Sequence, residues 1–158
     1  MPTLRARLFQ AYARLIRPMT LGVRGIVENA SGEILLVHHT YMSGWFLPGG
    51  GVERGEPCIK ALRKELQEEG GIILCGTPAL IGVFSNHASF RNDHVLLYHV
   101  PHTIWQPGKA TAHREIAQIM WCQPDDLPED TTPATRARIR DFYSEADPTP
   151  YWGGTPEK

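Results

Sequence analysis

Cysteine is scarce in this chain. Cys58, Cys75 and Cys122 are odd in number and far apart, which argues against a disulfide framework and a zinc ribbon and fits a reducing, cytoplasmic setting. Charge of one sign is lacking too: 16 Lys and Arg stand against 17 Asp and Glu, for a formal net charge of −1. That balance supplies no field for a stable nucleic-acid complex or a membrane surface. Apolar runs fall far short of the roughly 18 residues that span a bilayer, so no transmembrane segment is expected. No Gly-x-Ser-x-Gly elbow offers a serine nucleophile. The histidines lack the helical pair spacing of a zinc protease, because His94, His99 and His102 fall in or just after a strand and His38 and His39 point to opposite sides of another. No internal repeat is visible.

A chain of 158 residues is long enough for one domain with one core. Leu4, Leu8, Ala11, Tyr12 and Leu15 line one face of an amphipathic helix over residues 1–17, with Arg5, Arg7, Arg14 and Arg17 on the others. Pro18 ends it, and its interrupting charges exclude a secretory signal. Docking on its own domain, a membrane and a partner subunit are its three open uses. Strands are expected over Leu21–Glu28 and Glu33–His39, joined as a hairpin through Asn29–Gly32, and at Trp45–Leu47, Ala79–Ser85, His94–Val100 and Ile116–Cys122. Thr135–Glu145 reads as a last helix, and residues 148–158, rich in Pro and Gly, as a flexible tail. Strands, a central helix, more strands and a terminal helix make an α+β pattern.

The densest information lies between. Gly50-Gly51-Val52-Glu53-Arg54-Gly55-Glu56 reads as a glycine turn feeding a helix of about 57 to 69, opened by Pro57 and stopped by Gly70-Gly71. Ile59, Leu62 and Leu66 form its apolar stripe. Glu65, Glu68 and Glu69, related by three and four residues, share another face. Such like charges cost roughly 0.2–0.5 kcal/mol a pair, and carboxylates in the last turn oppose the helix dipole by about 0.3–1 kcal/mol. A bound cation reverses both signs. Hard carboxylate donors suit Mg²⁺ or Mn²⁺ and hence phosphate chemistry, while glycine backbone lets a diphosphate approach closely. A dinucleotide-fold reading of Gly49-Gly50-Gly51 is poorly supported, since Arg54 stands where the third glycine is required.

This stretch resembles the Nudix hydrolase signature, Gly-x5-Glu-x7-Arg-Glu-(apolar)-x-Glu-Glu-x-Gly-(apolar), at every fixed position except the Arg, which is Lys64 here. Similar family positions extend over most of residues 18–145. The resemblance implies a Nudix-type α/β/α sandwich with a mixed β-sheet over residues 18–147. It also implies a Mg²⁺- or Mn²⁺-dependent hydrolase that splits a pyrophosphate bond in a nucleoside diphosphate linked to another group. The Gly50 carbonyl, Glu65, Glu68 and Glu69 correspond to the metal contacts. Glu65 in some members activates water, Glu56 is supportive, and Glu115, ahead of Asp93, is the candidate late acid. Lys64 keeps the charge of the family's Arg without its planar two-point contact.

Arg24 and Arg91 are candidate phosphate clamps, and Phe84, Phe90 and Tyr41 candidate stacking groups for a base or sugar. The expected partner is a small nucleoside diphosphate derivative, and a homodimer is the protein partner to look for. Two alternatives stand beside this reading. Lys64 motivates a catalytically weak nucleotide-binding or sensing module, against which the intact glutamates argue; the basic N-terminal helix motivates a membrane-recruited interaction protein, against which the neutral net charge argues.

Overall fold

A computed structural model describes Leu8, Tyr12 and residues 18–112, 114–144 and 147–154. Nine strands and two α-helices are ordered along the described chain: β1 (Thr20–Val27), β2 (Ile34–His39), β3 (Trp45–Phe46), β4 (Gly49–Gly51), α1 (Cys58–Gly70), β5 (Ile72–Leu74), β6 (Ala79–Ser85), β7 (Asp93–Val100), β8 (Trp105–Pro107), β9 (Ile116–Cys122) and α2 (Pro133–Tyr143). The main sheet has the order β4-β1-β7-β6, with β1 parallel to β7 and antiparallel to β4. A second sheet runs β3-β2-β9, and β5 pairs with β8. The mixed sheet and two helices give the expected α+β sandwich.

Strand alternation sets the two cores. Val23 and Val27 of β1 pack with Leu62 and Leu66 of α1, while Ile26, between them, joins Leu97 and Ile139 of α2 on the opposite face. Leu35 and Leu36 divide in the same way. Leu62 and Leu66 are fully buried, each burial being favourable by about 1.5–3 kcal/mol. Gly25 permits the approach of α1, since a Cβ there would meet Leu66 Cδ2 at 3.3 Å. Gly71 closes the helix in the left-handed region, φ 65°, its N–H donating to the Gln67 and Leu66 carbonyls.

Three expectations need correction. Strands β1 and β2 are not a hairpin: they lie in different sheets and pair only through the Glu28–Ile34 bridge. The Asn29 side chain, accepting the N–H groups of Ser31 and Glu33, shapes a crossing between sheets. Gly49–Gly51 is not only a turn but a strand in register with β1, formed despite glycine's poor strand propensity because the ladder to Gly22–Arg24 holds it. The tail is not loose through residue 154: Ser85 N–H donates to Pro150 O and Trp152 N–H to Ser85 O, both at 2.8 Å. The helix expected over 1–17 lies outside the described residues apart from Leu8 and Tyr12, both helical and exposed. Residues 155–158 also lie outside them. All three cysteines are free, and among the described residues no helix is long and apolar enough to cross a membrane.

Candidate active site

A cleft of about 470 Å³ opens between the two sheets at the β4 end of the molecule. Its polar wall is the last turns of α1. Glu69 is 6% exposed and its Oε2 accepts the Gly49 N–H at 2.8 Å, which ties the helix to β4. Glu65, one turn earlier, lies against Gly50: a Cβ on that glycine would sit 2.6 Å from the Glu65 carboxyl carbon. Gly49 itself adopts φ +144°, and a Cβ there would fall 2.0 Å from Val23 O. Position 49 therefore requires glycine, whereas at position 50 a side chain would displace the Glu65 carboxylate. Gly22 completes a low floor, with the Gly50 carbonyl oxygen 3.6 Å from the point a Cβ would occupy.

Burial dominates the electrostatics. It pushes Glu69 up to about 7, aided by Glu65 and Glu115 and opposed by the Gly49 N–H and Arg24. Glu65 is also raised, first by burial; Lys64 pulls it down and Glu68 pushes it up. His39, 5% exposed with its Nε2 3.9 Å from Glu69 Oε1, is lowered by burial and then by Arg24. Tyr41 is raised by burial, then by Glu115 and Glu69.

The predicted residues divide into groups. Glu65, Glu69, Gly50, Arg24 and Glu115 line the cleft. Glu68 does not: it borders a neighbouring recess of about 180 Å³ with Ala112 and Ile116. Glu69 lines that recess too, so it borders both cavities while Glu68, about 100° round the helix, borders only one. Among the described residues no three His, Cys, Asp or Glu side chains converge as a ready-made metal cluster. Lys64 Nζ stands 3.6 Å from Glu65 Oε1. Burial lowers its pKa, but Glu65, Glu56 and Glu68 together outweigh that and raise it. Glu56 accepts the Glu53 N–H through Oε2 and so closes the loop before α1.

Arg24, a candidate phosphate clamp, lines the cleft and also has a structural task. Its Nη1 donates to Leu47 O at 2.9 Å and Gly49 O at 2.8 Å, so this arm of the guanidinium braces the glycine strand. Arg91 is exposed on an adjoining cavity of about 690 Å³ with Arg54 and Phe90. Phe84 is core, 3% exposed, whereas Phe90 and Tyr41, 58% and 66% exposed, line the cleft. Asp93 is engaged by Thr20 Oγ1 and Asn86 Nδ2. His39, Asn86 and Trp152 also line the cleft and were missed as site residues. Strand β2 is buried on both faces, so its pattern carries no alternation that singles out His39; nothing in the local sequence announces Trp152.

The NUDIX domain model matches residues 18–143. A putative 8-oxo-dGTP diphosphatase of Bacillus subtilis (strain 168) is 33% identical over 128 residues, covering 80% of this chain and 82% of the relative. Nucleoside triphosphatase NudI of Escherichia coli O139:H28 (strain E24377A / ETEC) is 32% identical over 104 residues, covering 61% and 74%. Among solved structures, a MutT NUDIX hydrolase from Burkholderia pseudomallei superposes with a TM-score of 0.65 at 26% identity, covering 77% of this chain and 95% of that one. A MutT protein from Methanosarcina mazei Go1 shares the fold with a TM-score of 0.67 at 21% identity, covering 82% and 96%. Domain match, relatives and the glycine strand beneath the carboxylate helix agree: the chain belongs to the Nudix hydrolase family and is a pyrophosphohydrolase.

Proposed function

We propose that this cleft hydrolyses the pyrophosphate bond of a nucleoside triphosphate with the help of Mg²⁺ or Mn²⁺. In that substrate the group linked to the nucleoside diphosphate is phosphate, as the names of the two relatives suggest. The observation that carries the reading is the pair Glu65 and Glu69, two carboxylates raised by burial and set directly against the glycine strand, Glu69 on Gly49 and Glu65 on Gly50.

The donor set fits a hard divalent cation. A buried and a half-buried carboxylate that disfavour each other's charge gain most from a cation between them, and oxygen is the ligand Mg²⁺ and Mn²⁺ prefer. Glu65, Glu69 and the Gly50 carbonyl are the residues that would hold it, with Glu68 at the rim and Glu115 reaching in from the loop before β9. Bound there, the metal supplies charge neutralisation for the phosphates. Arg24 fixes the glycine strand. Lys64 balances Glu65, and Glu65 is the group placed to take a proton from water. The water oxygen bonds to phosphorus, the bridging P–O bond breaks, and the electron pair leaves with the departing phosphate oxygen.

The test is a screen of nucleoside triphosphates, oxidised and unmodified, with Mg²⁺ or Mn²⁺, scored for release of phosphate against pyrophosphate. Metal-dependent release of either from a nucleoside triphosphate supports the reading. Cleavage confined to sugar nucleotides or dinucleoside polyphosphates would replace the substrate class.

A further inference from the structure

Trp152 stands at the opposite end of the cleft from the carboxylates. The order β4-β1-β7-β6, with Gly22 in register with Gly51 and Val95 and Val95 with Phe84, floors the cleft as far as Val95 and puts Phe84 three strand spacings from Gly51, about 14 Å in all. Beyond β6 the C-terminal segment continues that sheet. Residue 151 forms a parallel bridge with Ser85, and backbone hydrogen bonds from Ser85 N–H to Pro150 O and from Trp152 N–H to Ser85 O grip the segment on either side. The indole meets Phe84 edge to face at 5.9 Å and 65°. Arg138 lies over the same Phe84 ring at 4.4 Å, and its Nη1 donates to Thr149 O, so α2 fastens the segment from behind. Trp152 is thus held without being covered: it is half-buried and lines the cleft, as does the largely exposed Phe90.

The cleft therefore has chemically distinct ends. One is carboxylate and glycine backbone, suited to metal and phosphate; the other is a braced aromatic surface, suited to the flat face of a base. A stacking platform of this kind accepts any base, because every base has a π-face. Preorganisation by the Ser85 ladder and the Phe84 contact limits the ordering cost on binding.

We propose that the C-terminal segment 149–152 is part of the substrate site and that Trp152 receives the nucleobase, whichever base it is, while the phosphates occupy the Glu65–Glu69 end. This rests on the nucleotide reading above. Trp152 touches the base and not the reacting atoms, so its removal acts on binding and leaves the chemical step.

Steady-state kinetics of wild type, Trp152→Leu and Trp152→Phe with one nucleoside triphosphate at saturating Mg²⁺ test it. Leu retains apolar contact with Phe84 but has no aromatic face. Trp152→Leu should raise KM about tenfold or more with kcat changed less than about twofold, and Trp152→Phe should recover most of the loss. Inorganic tripolyphosphate, which has phosphates but no base, should inhibit all three proteins with the same constant. Thermal melting of each variant shows that the fold is kept. An unchanged KM in Trp152→Leu, a Phe variant as weak as Leu, or an equal loss of tripolyphosphate binding would overturn the proposal. Failure of the wild type to hydrolyse any nucleoside triphosphate would instead overturn the functional reading.

Discussion

Glu69 accepts the Gly49 backbone N–H at 2.8 Å. This one bond joins the last turn of α1 to the edge strand of the main sheet, and it fixes a carboxylate that burial has pushed up to about 7. Helix and glycine strand act as one unit: the strand leaves no side chain between itself and the carboxylates, and the helix brings the charge.

Gly50→Ala tests that fit. The new Cβ would lie 2.6–2.8 Å from the Glu65 carboxyl atoms, so the carboxylate must move. Displacement of a catalytic group by roughly 1 Å costs up to about 10²-fold in rate, and overpacking costs about 1–3 kcal/mol. Urea unfolding and kcat should report both losses. An active, undestabilised variant would show that Glu65 does not need its position on Gly50.

Lys64 makes a single contact of 3.6 Å with Glu65 and is itself half-exposed. A guanidinium in its place gains a planar two-point hold. Lys64→Arg should therefore raise kcat a few-fold, while Lys64→Ala should weaken metal affinity and activity together. Kinetics and metal titrations of the two variants distinguish them; an Arg variant no faster than wild type would show that the site is built around lysine.

Much of this arrangement was legible in the sequence, because its determinants are local. Pro57, the 62/66 apolar spacing and Gly71 define α1 unaided, and the spacing of the glutamates marks the chemical wall. What could not be read depends on contacts between distant segments. One arm of Arg24 braces Leu47 and Gly49 through a strand pairing that no periodicity reveals. That Glu69, and not Glu68, lines the cleft follows from the rotation of the helix against the sheet. Trp152 enters the cleft because a segment with no strand pattern of its own borrows Ser85 as a partner.

Away from the cleft, Glu28 accepts the Tyr143 hydroxyl at 2.5 Å and bonds His99 Nε2 at 2.5 Å, latching α2 to the sheet. Burial raises the Glu28 pKa, but the Tyr143 and His99 hydrogen bonds and the nearby His99 and His102 charges outweigh it and hold it below the usual carboxylate value. A lowered carboxylate pKa gives stability that is complete above its unfolded value and is lost as pH falls through the folded one. Glu28→Gln should cost about 1–2 kcal/mol near neutral pH, with the gap to wild type closing below pH 4.5. Denaturant midpoints of both proteins across that range provide the check; a gap that stayed constant would mean that the carboxylate charge contributes nothing to the latch.

If Glu65 and Glu69 hold a divalent cation against the glycine strand, metal must stabilise the fold through them. Thermal melting of wild type and Glu69→Gln, each in chelator and then in Mn²⁺ or Mg²⁺, tests it most directly. A ligand at a hundred times its Kd stabilises the folded state by about 2.7 kcal/mol, which for a chain of this size is a rise of roughly 5–10 °C in Tm. The wild type should show that rise. The variant, no less stable than wild type in chelator because it carries no buried charge, should show almost none and should lose hydrolysis by orders of magnitude. An equal rise in both proteins, or retained turnover in the variant, would contradict the assignment.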